Sequence, residues 1–397
     1  MKRRDISLCV ESAACRLCLA VAFVLLAGCQ GGNRSGDTLF APASSGHPFD
    51  VLVVADEDLW QRRAGRALAD VLATRMPGLP QPEFSFRVMH ASPAHFDATL
   101  KRVRNIVVAD VRSGCTQATL STAGNVNASP QSILLIEAPD ETSFGQCVQD
   151  NRQQIVDYFV RAEMDRQVQA LERDHNAYVE SRVRKLFDCT VWVPCGLSAC
   201  KEGTSFFWAG TNAATRDQNF VVYSYPYTDR ATFTKDNFVD KRDSVMKANI
   251  PGARRGMYMT TDRSTVTTRP IAVQGCFAYE ARGLWRVEGD CMGGPFVSHA
   301  RVDTLHGRVV VAEAFVYSPG TPKRDLVRQL EASLYTLRLP GGEAAARDDG
   351  AGADGSPVLA QRSAIAGVYL CPSGGRPLPG SWQTVAPGRP GLAQEKD

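Results

Sequence analysis

The chain has 397 residues, 44% hydrophobic and 22% charged, with 33 Gly, 22 Pro, 12 Cys and a formal net charge of +3. That composition fits one large globular domain or two smaller ones, and it excludes a collagen-like, wholly disordered or multi-span membrane protein. Lys2, Arg3, Arg4 and Arg16, set against Asp5 and Glu11, hold most of the excess charge within residues 1–28. The rest is nearly neutral, so no nucleic-acid partner is expected.

The basic start is followed by an apolar core from Leu17 to Ala27. A membrane-spanning helix needs roughly 20 apolar residues, so this shorter run reads as the core of a signal peptide, residues 1–28. It closes on Leu26-Ala27-Gly28-Cys29, small residues ahead of a thiol. This resembles the bacterial lipobox, and the resemblance implies cleavage between Gly28 and Cys29, with diacylglyceryl on the sulfur and an acyl chain such as palmitate on the freed amine. Each buried methylene contributes about 0.8 kcal/mol, so several chains anchor a protein stably. Gln30 at the second mature position resembles sorting to the outer membrane, and no acidic run of the kind that exports lipoproteins to the cell surface follows. The expectation is a lipid-anchored protein of the outer membrane that faces the periplasm. Residues 29–48, rich in Gly, Ser and Pro, read as a flexible tether.

From residue 49 to 340 the pattern is that of an α+β domain, with mixed or antiparallel sheets and segregated helices. Phe49–Ala55 is a buried strand; Asp56 then caps a helix whose stripe is Trp60, Ala64, Leu68, Val71 and Leu72, stopped by Pro77-Gly78. Strands follow at Phe84–His90, Asn105–Val111 and Ser132–Ala138, then one long helical stretch from Phe144 to Phe187. A straight helix of that length would be about 60 Å long, so a break is expected near Asp174-His175-Asn176. Its alternating charges, Glu163, Asp165, Glu172, Asp174 and Glu180 among Arg and Lys, read as a solvated face.

Further strands are expected at Cys189–Pro194, Ser205–Ala209 and Asn219–Tyr225, then a helix at Lys235–Asn249. Asp150, Arg152 and Ile155 share spacing with Asp240, Arg242 and Val245, which suggests internal duplication of a helix-plus-three-strand unit, with halves 49–187 and 188–340. Arg269–Glu280 and Leu284–Glu288 read as a hairpin around Ala281-Arg282-Gly283, and Phe296–Thr304 with Arg308–Tyr317 as another around His306-Gly307. A last helix, Lys323–Leu337, carries Leu326, Leu330, Leu334 and Leu337 on one face. Residues 341–397 hold 11 of the 33 glycines and six prolines and read as a disordered tail, with only Ile365–Leu370 able to form a brief strand.

Gly283-Leu284-Trp285-Arg286-Val287-Glu288-Gly289-Asp290-Cys291-Met292-Gly293-Gly294-Pro295-Phe296 is the most distinctive segment. With Glu313–Pro319, Arg328-Gln329-Leu330-Glu331, Arg104–Val108 and the long charged helix, it is similar to a Bacteroidota lipoprotein family catalogued only as a domain of unknown function. The similarity covers roughly residues 47–340. It strengthens the envelope location and implies no activity, substrate or catalytic residue.

The chain carries no Walker loop, dinucleotide-binding glycine pattern, zinc-protease motif or Gly-x-Ser-x-Gly elbow. Eight cysteines remain after the signal and Cys29. Cys276 and Cys291 lie on neighbouring strands of the expected hairpin and are the first disulfide candidates. Cys189, Cys195 and Cys200 could supply another bridge, or the cysteines could be buried and free. A zinc site there would need tighter spacing or a nearby His, so neither metal nor cofactor is expected.

Glu313 shares a strand face with Val309, Val311, Phe315 and Tyr317, opposite Ser298 or Ala300. A carboxylate there needs a partner, for which Arg286 is available, or keeps its proton. It reads either as a pocket acid or base or as half of a structural ion pair. Trp285 with Met292-Gly293-Gly294 reads either as a ligand platform, for a sugar ring or a peptide, or as a tight bend with Trp285 in the core. His299 shares a face with Arg301 and Asp303 while Ser298 points the other way, so they form no triad and a solvated strand is expected. Two functions follow: an envelope lipoprotein that binds or assembles with an envelope protein or glycan, or an envelope enzyme using Glu313 on a glycan or peptide. No catalytic residue is otherwise indicated.

Overall fold

The computed structural model describes residues 41–340 and 383–385. The signal peptide, Gly28, Cys29, the tether up to residue 40, Cys371 and the Ile365–Leu370 strand lie outside the described residues. The fold is α+β, built on two sheets.

Val51-Leu52-Val53-Val54 is apolar on both faces because β1 (Asp50–Val54) is a central strand of a mostly parallel sheet. The order is β13-β4-β5-β3-β1-β2, where β2 is Arg87–Ala91, β3 Asn105–Val111, β4 Thr119–Gly124, β5 Ser132–Ala138 and β13 Gln383–Val385. β4 and β13 run antiparallel to their neighbours. Helices α1 (Glu57–Gln61), α2 (Arg63–Leu72), α3 (Glu141–Asp150) and α4 (Arg152–Arg173) cover one face, burying Leu68, Val71, Phe144, Ile155 and Phe159 against Val51 and Val53. The other face, Leu52, Val54, Ile106 and Ile133, is covered by Phe96 and Leu100 from a loop. Asp56 stands at the first cap without a side-chain cap bond.

The end of the expected tether is tied down. Ser44 N donates to Ser129 O at 3.2 Å, and Ser45 exchanges bonds with Arg102 O (2.8 Å) and Arg104 N (3.0 Å).

The expected long helix is three helices. Asn151 separates α3 from α4, and α4 stops at Asp174. Asn176 then caps α5 (Ala177–Phe187) by accepting from Val179 N at 3.1 Å. The expected break near Asp174–Asn176 is therefore present. It is also where the chain passes from one core to the other: Phe159 belongs to the first sheet, whereas Val179, Val183 and Phe187 pack on the second.

The second sheet is antiparallel throughout, in the order β6-β7-β8-β12-β11-β10-β9. Its strands are β6 Ala199–Glu202, β7 Phe206–Gly210, β8 Asp217–Pro226, β9 Met259–Val273, β10 Cys276–Val287, β11 Gly293–Asp303 and β12 Arg308–Tyr317. Val222, Val297, Val310, Ala312 and Ala314 face α5 and α7 (Arg324–Leu334). Tyr223, Phe296, Val309, Val311 and Phe315 face α6 (Lys235–Asn249). With a parallel core in one half and an antiparallel sheet in the other, the halves do not repeat one unit.

Two local expectations are corrected. Ala281-Arg282-Gly283 is not a turn: β10 runs through it with a register shift between Arg282 and Leu284. The turn before β10 is Gln274-Gly275, both at positive φ (53° and 76°), which suits a two-residue hairpin. Cys189–Pro194 forms no named strand, and Thr190 makes only an isolated bridge to Arg338.

Candidate functional site

Trp285 and Glu313 lie in the second sheet, on the face that packs on α6. Trp285 is 3% exposed, its ring edge-on to Phe315 at 5.6 Å. Gly294 stands opposite it, and a Cβ there would lie 2.0 Å from the Val316 carbonyl oxygen. A Cβ on Gly293 would lie 2.8 Å from the Trp285 carbonyl oxygen. The glycines therefore admit neighbouring strand backbone, with half-buried Met292 closing the bend through Val287 N to its carbonyl at 2.9 Å. Trp285 is in the core, so of the two readings of this segment the tight bend is the one present.

Glu313 pairs with Ser298 in register and is 0% exposed. Its partner is Arg242 from α6, also 0% exposed: Nη2 donates to Oε1 at 2.7 Å and Nε to Oε2 at 2.9 Å. Ser298 Oγ donates to Oε2 at 2.6 Å. Arg242 Nη1 donates to Thr261 Oγ1 at 2.7 Å, and Thr261 in turn donates to Asp243 at 2.6 Å. The guanidinium also lies 4.0 Å from the Phe296 ring centroid. Burial, then the Glu313 charge, push the nearby Tyr223 hydroxyl's pKa well up. Arg286, the expected partner, instead pairs with Glu288 at the surface, at 2.7 Å. Both Glu313 oxygens are engaged and the pair is sealed, so the geometry is that of a structural ion pair.

The sequence signal for Arg242 was its place on the helix. It lies four residues after Phe238 and four before Met246, in the middle of the buried stripe of α6.

Two further charged clusters are buried, the first of them on the helix face expected to be solvated. Glu163, four residues after Phe159, pairs with Arg166 at 2.8 Å and accepts from Asn105 Nδ2 at 2.7 Å. On the α7 side of the second sheet, Glu280 pairs with Arg282 (2.8 Å) and Arg269 (2.7 Å), and Glu331 with Arg282 and with Arg328 (3.1 Å). His299, Arg301 and Asp303 are buried beside this network, correcting the solvated strand. His299 Nε2 is 3.6 Å from Glu280, and Arg301 donates to Leu337 O at 2.7 Å. Burial alone would raise the pKa of Glu280 and Glu331, but the Arg282 charge outweighs it and holds both below the usual carboxylate range.

Cys276 and Cys291 are free and exposed. Cys276 opens β10 and Cys291 lies beyond its far end; the strand spans about 36 Å at the usual rise, and a disulfide needs Cα atoms within about 7 Å. The expected bridge is absent for that reason. Cys189 is buried, and its thiol is pushed up to about 12 by that burial. Among the described residues no group of three or more His, Cys, Asp or Glu is arranged to hold a metal.

The open cavity of interest lies elsewhere. A cleft of about 470 Å³ is bounded by His47, Pro48, Phe49, Asp50 and Arg87, by Gln167 of α4, and by Arg324, Asp325 and Gln329 of α7. Asp50 accepts from Arg87 Nε at 2.9 Å and Nη2 at 2.5 Å. Glu83, from the loop before β2, caps the start of α7 by accepting from Lys323 N at 2.7 Å and Arg324 N at 2.9 Å.

Comparison with known families divides the chain at the same break. Residues 44–172 match the family described as Domain of unknown function (DUF8532), and residues 176–336 match Domain of unknown function (DUF4837). The two halves match two different families. No curated protein matches the chain.

The DUF8532-like part supplies β1, β2 and α4 to the cleft, and the DUF4837-like part supplies α7. Nothing in the sequence marked this cleft, because its walls are brought together from residues more than two hundred positions apart.

Proposed function

We propose that this chain is a lipid-anchored lipoprotein of the bacterial cell envelope, set in the outer membrane and facing the periplasm, with a binding or assembly role. The observation that carries the reading is Leu26-Ala27-Gly28-Cys29 closing a short apolar core behind a basic start. The similarity of the body to a Bacteroidota lipoprotein family supports it. From Cys29 to Ala43, the first residue bridged to the body, the chain can reach at most about 50 Å, so a lipid on Cys29 would hold the body close to the bilayer. Binding is favoured over catalysis because Glu313, the residue on which an enzyme reading rested, spends both carboxylate oxygens on Arg242 and Ser298.

Membrane fractionation of the full chain tests the anchor. The native protein should sediment with the outer membrane and the Cys29→Ser form should not; retention of Cys29→Ser in the membrane would overturn the reading. In-cell crosslinking of the native protein, with Cys29→Ser as control, then tests assembly: a reproducible stoichiometric envelope protein supports it.

A further inference from the structure

With β13 taken away, four strands would stand at sheet edges: β2 and β4 in the first sheet, β6 and β9 in the second. A sheet edge presents a row of unpaired backbone N–H and C=O groups, a template for any extended segment that meets it. Three of the four edges carry features that discourage such pairing. β6 is four residues long and closes on Lys201-Glu202. β2 is five residues long and opens on Arg87. β9 is long, but it holds Arg263, Arg269 and Pro270, and its register shifts opposite Arg282 and Leu284.

β4 has none of these. Thr119-Leu120-Ser121-Thr122-Ala123-Gly124 contains no charged residue and no proline, and it pairs with β5 along its whole length without a shift. It is also the edge that the chain covers. Gln383, Thr384 and Val385 pair antiparallel with Thr122, Ser121 and Leu120.

Residues 341–382 stand between Pro340 and this strand, and at full extension they would reach about 150 Å. A connection of that length does not by itself place Gln383 anywhere on the body, so the backbone pairing selects the edge. The contact is small, and a short terminal strand opens without the rest of the sheet.

Uncovered, the β4 edge is self-complementary. Two copies related by a twofold axis would set β4 against β4 antiparallel, and a strand without charges meets no like-charge repulsion in that pairing. We propose that Gln383–Val385 is a strap that closes the β4 edge, and that the partner it excludes is the same edge of a second copy of this chain. The strap depends neither on the lipid anchor nor on the binding role above.

The test uses the full-length chain in detergent and the double substitution Gln383→Pro with Thr384→Pro. Successive residues of an antiparallel strand turn their N–H groups to opposite sides, so one of the two prolines removes a donor to β4. Gln383→Ala with Thr384→Ala keeps both donors and is the control. At low protein concentration, the amides among Leu120–Thr122 that face β13 should exchange at least tenfold faster in the proline form. They should be unchanged in the alanine form, and β3 should be unaffected in both. At high concentration the proline form alone should sediment as a dimer or larger species. Equal exchange at Leu120–Thr122 in the proline and native forms overturns the proposal. So does a proline form that stays monomeric at every concentration, or a native chain that associates as strongly.

Discussion

Arg242 and Glu313 meet across the packing of α6 on the second sheet, both fully buried, with Nη2 2.7 Å from Oε1. Taking two charges out of water is costly, and here the cost is offset by complete satisfaction: Ser298 and Thr261 take up the remaining hydrogen-bonding capacity. Removing one partner strands the other. Glu313→Gln should therefore lower stability by about 3–5 kcal/mol in urea unfolding, whereas Arg242→Met with Glu313→Leu should recover most of the loss. A Glu313→Gln protein as stable as the native one would show that the pair is not the lock described.

The second ion network sets an acid limit. Free Glu titrates near about pH 4.3, and in the folded protein Glu280 and Glu331 stay ionised to lower pH because Arg282 and its neighbours outweigh their burial. Below that pH the unfolded chain binds more protons than the folded one, so stability falls as pH falls. The contribution is fully present at neutral pH. Urea midpoints should be level around neutrality and drop below about pH 4, and Glu331→Gln should lower the neutral value and flatten the drop. An acid limb equally steep in Glu331→Gln would assign the drop to other groups.

Glu83 and the first turn of α7 are joined across two hundred and forty positions of sequence. Lys323, at the cap position, makes no side-chain cap bond, so Glu83 supplies it from outside the helix. Glu83→Ala should cost about 1 kcal/mol. Amide exchange should quicken at Lys323 and Arg324 before it does in the β11–β12 hairpin. Uniform exchange changes across both would argue against a local cap.

Cys276 and Cys291 are separated by the whole of β10 and both are exposed. Under native, non-reducing conditions a maleimide should label both, and Cys276→Ser or Cys291→Ser should leave the melting temperature unchanged. Protection of both thiols until a reductant is added would contradict the strand register.

Much of the fold was legible because its information is local. β3, β5 and β12 and the helix Lys235–Asn249 run over the residues expected of them, since strand and helix periodicities are properties of short windows. The break at Asp174–Asn176 was legible for the same reason: a polar run too long for one helix, with Asn176 able to cap the next. β10 was misread because Ala281-Arg282-Gly283 has turn composition, and only its pairing with both β9 and β11 keeps it extended. β4 went unseen because Thr119–Gly124 is largely polar and carries little apolar alternation.

The buried charges escaped the sequence for one recurring reason. Glu163, Arg242 and Glu331 each sit four residues from an apolar stripe residue (Phe159, Phe238 and Val327), so all three point into a core. Taken one at a time, charged residues default to the surface. Their partners are far along the chain, Arg242 and Glu313 being 71 residues apart and Arg282 and Glu331 49.

By itself, then, the sequence determined most of the elements and the break between halves, because each depends on residues within a turn or two of one another. Only the tertiary structure decided which charges are buried, that Trp285 belongs to the core, that Cys276 and Cys291 stay apart, and that a cleft opens beside Phe49. Burial and pairing are settled by which distant segments meet, and no local window contains both partners.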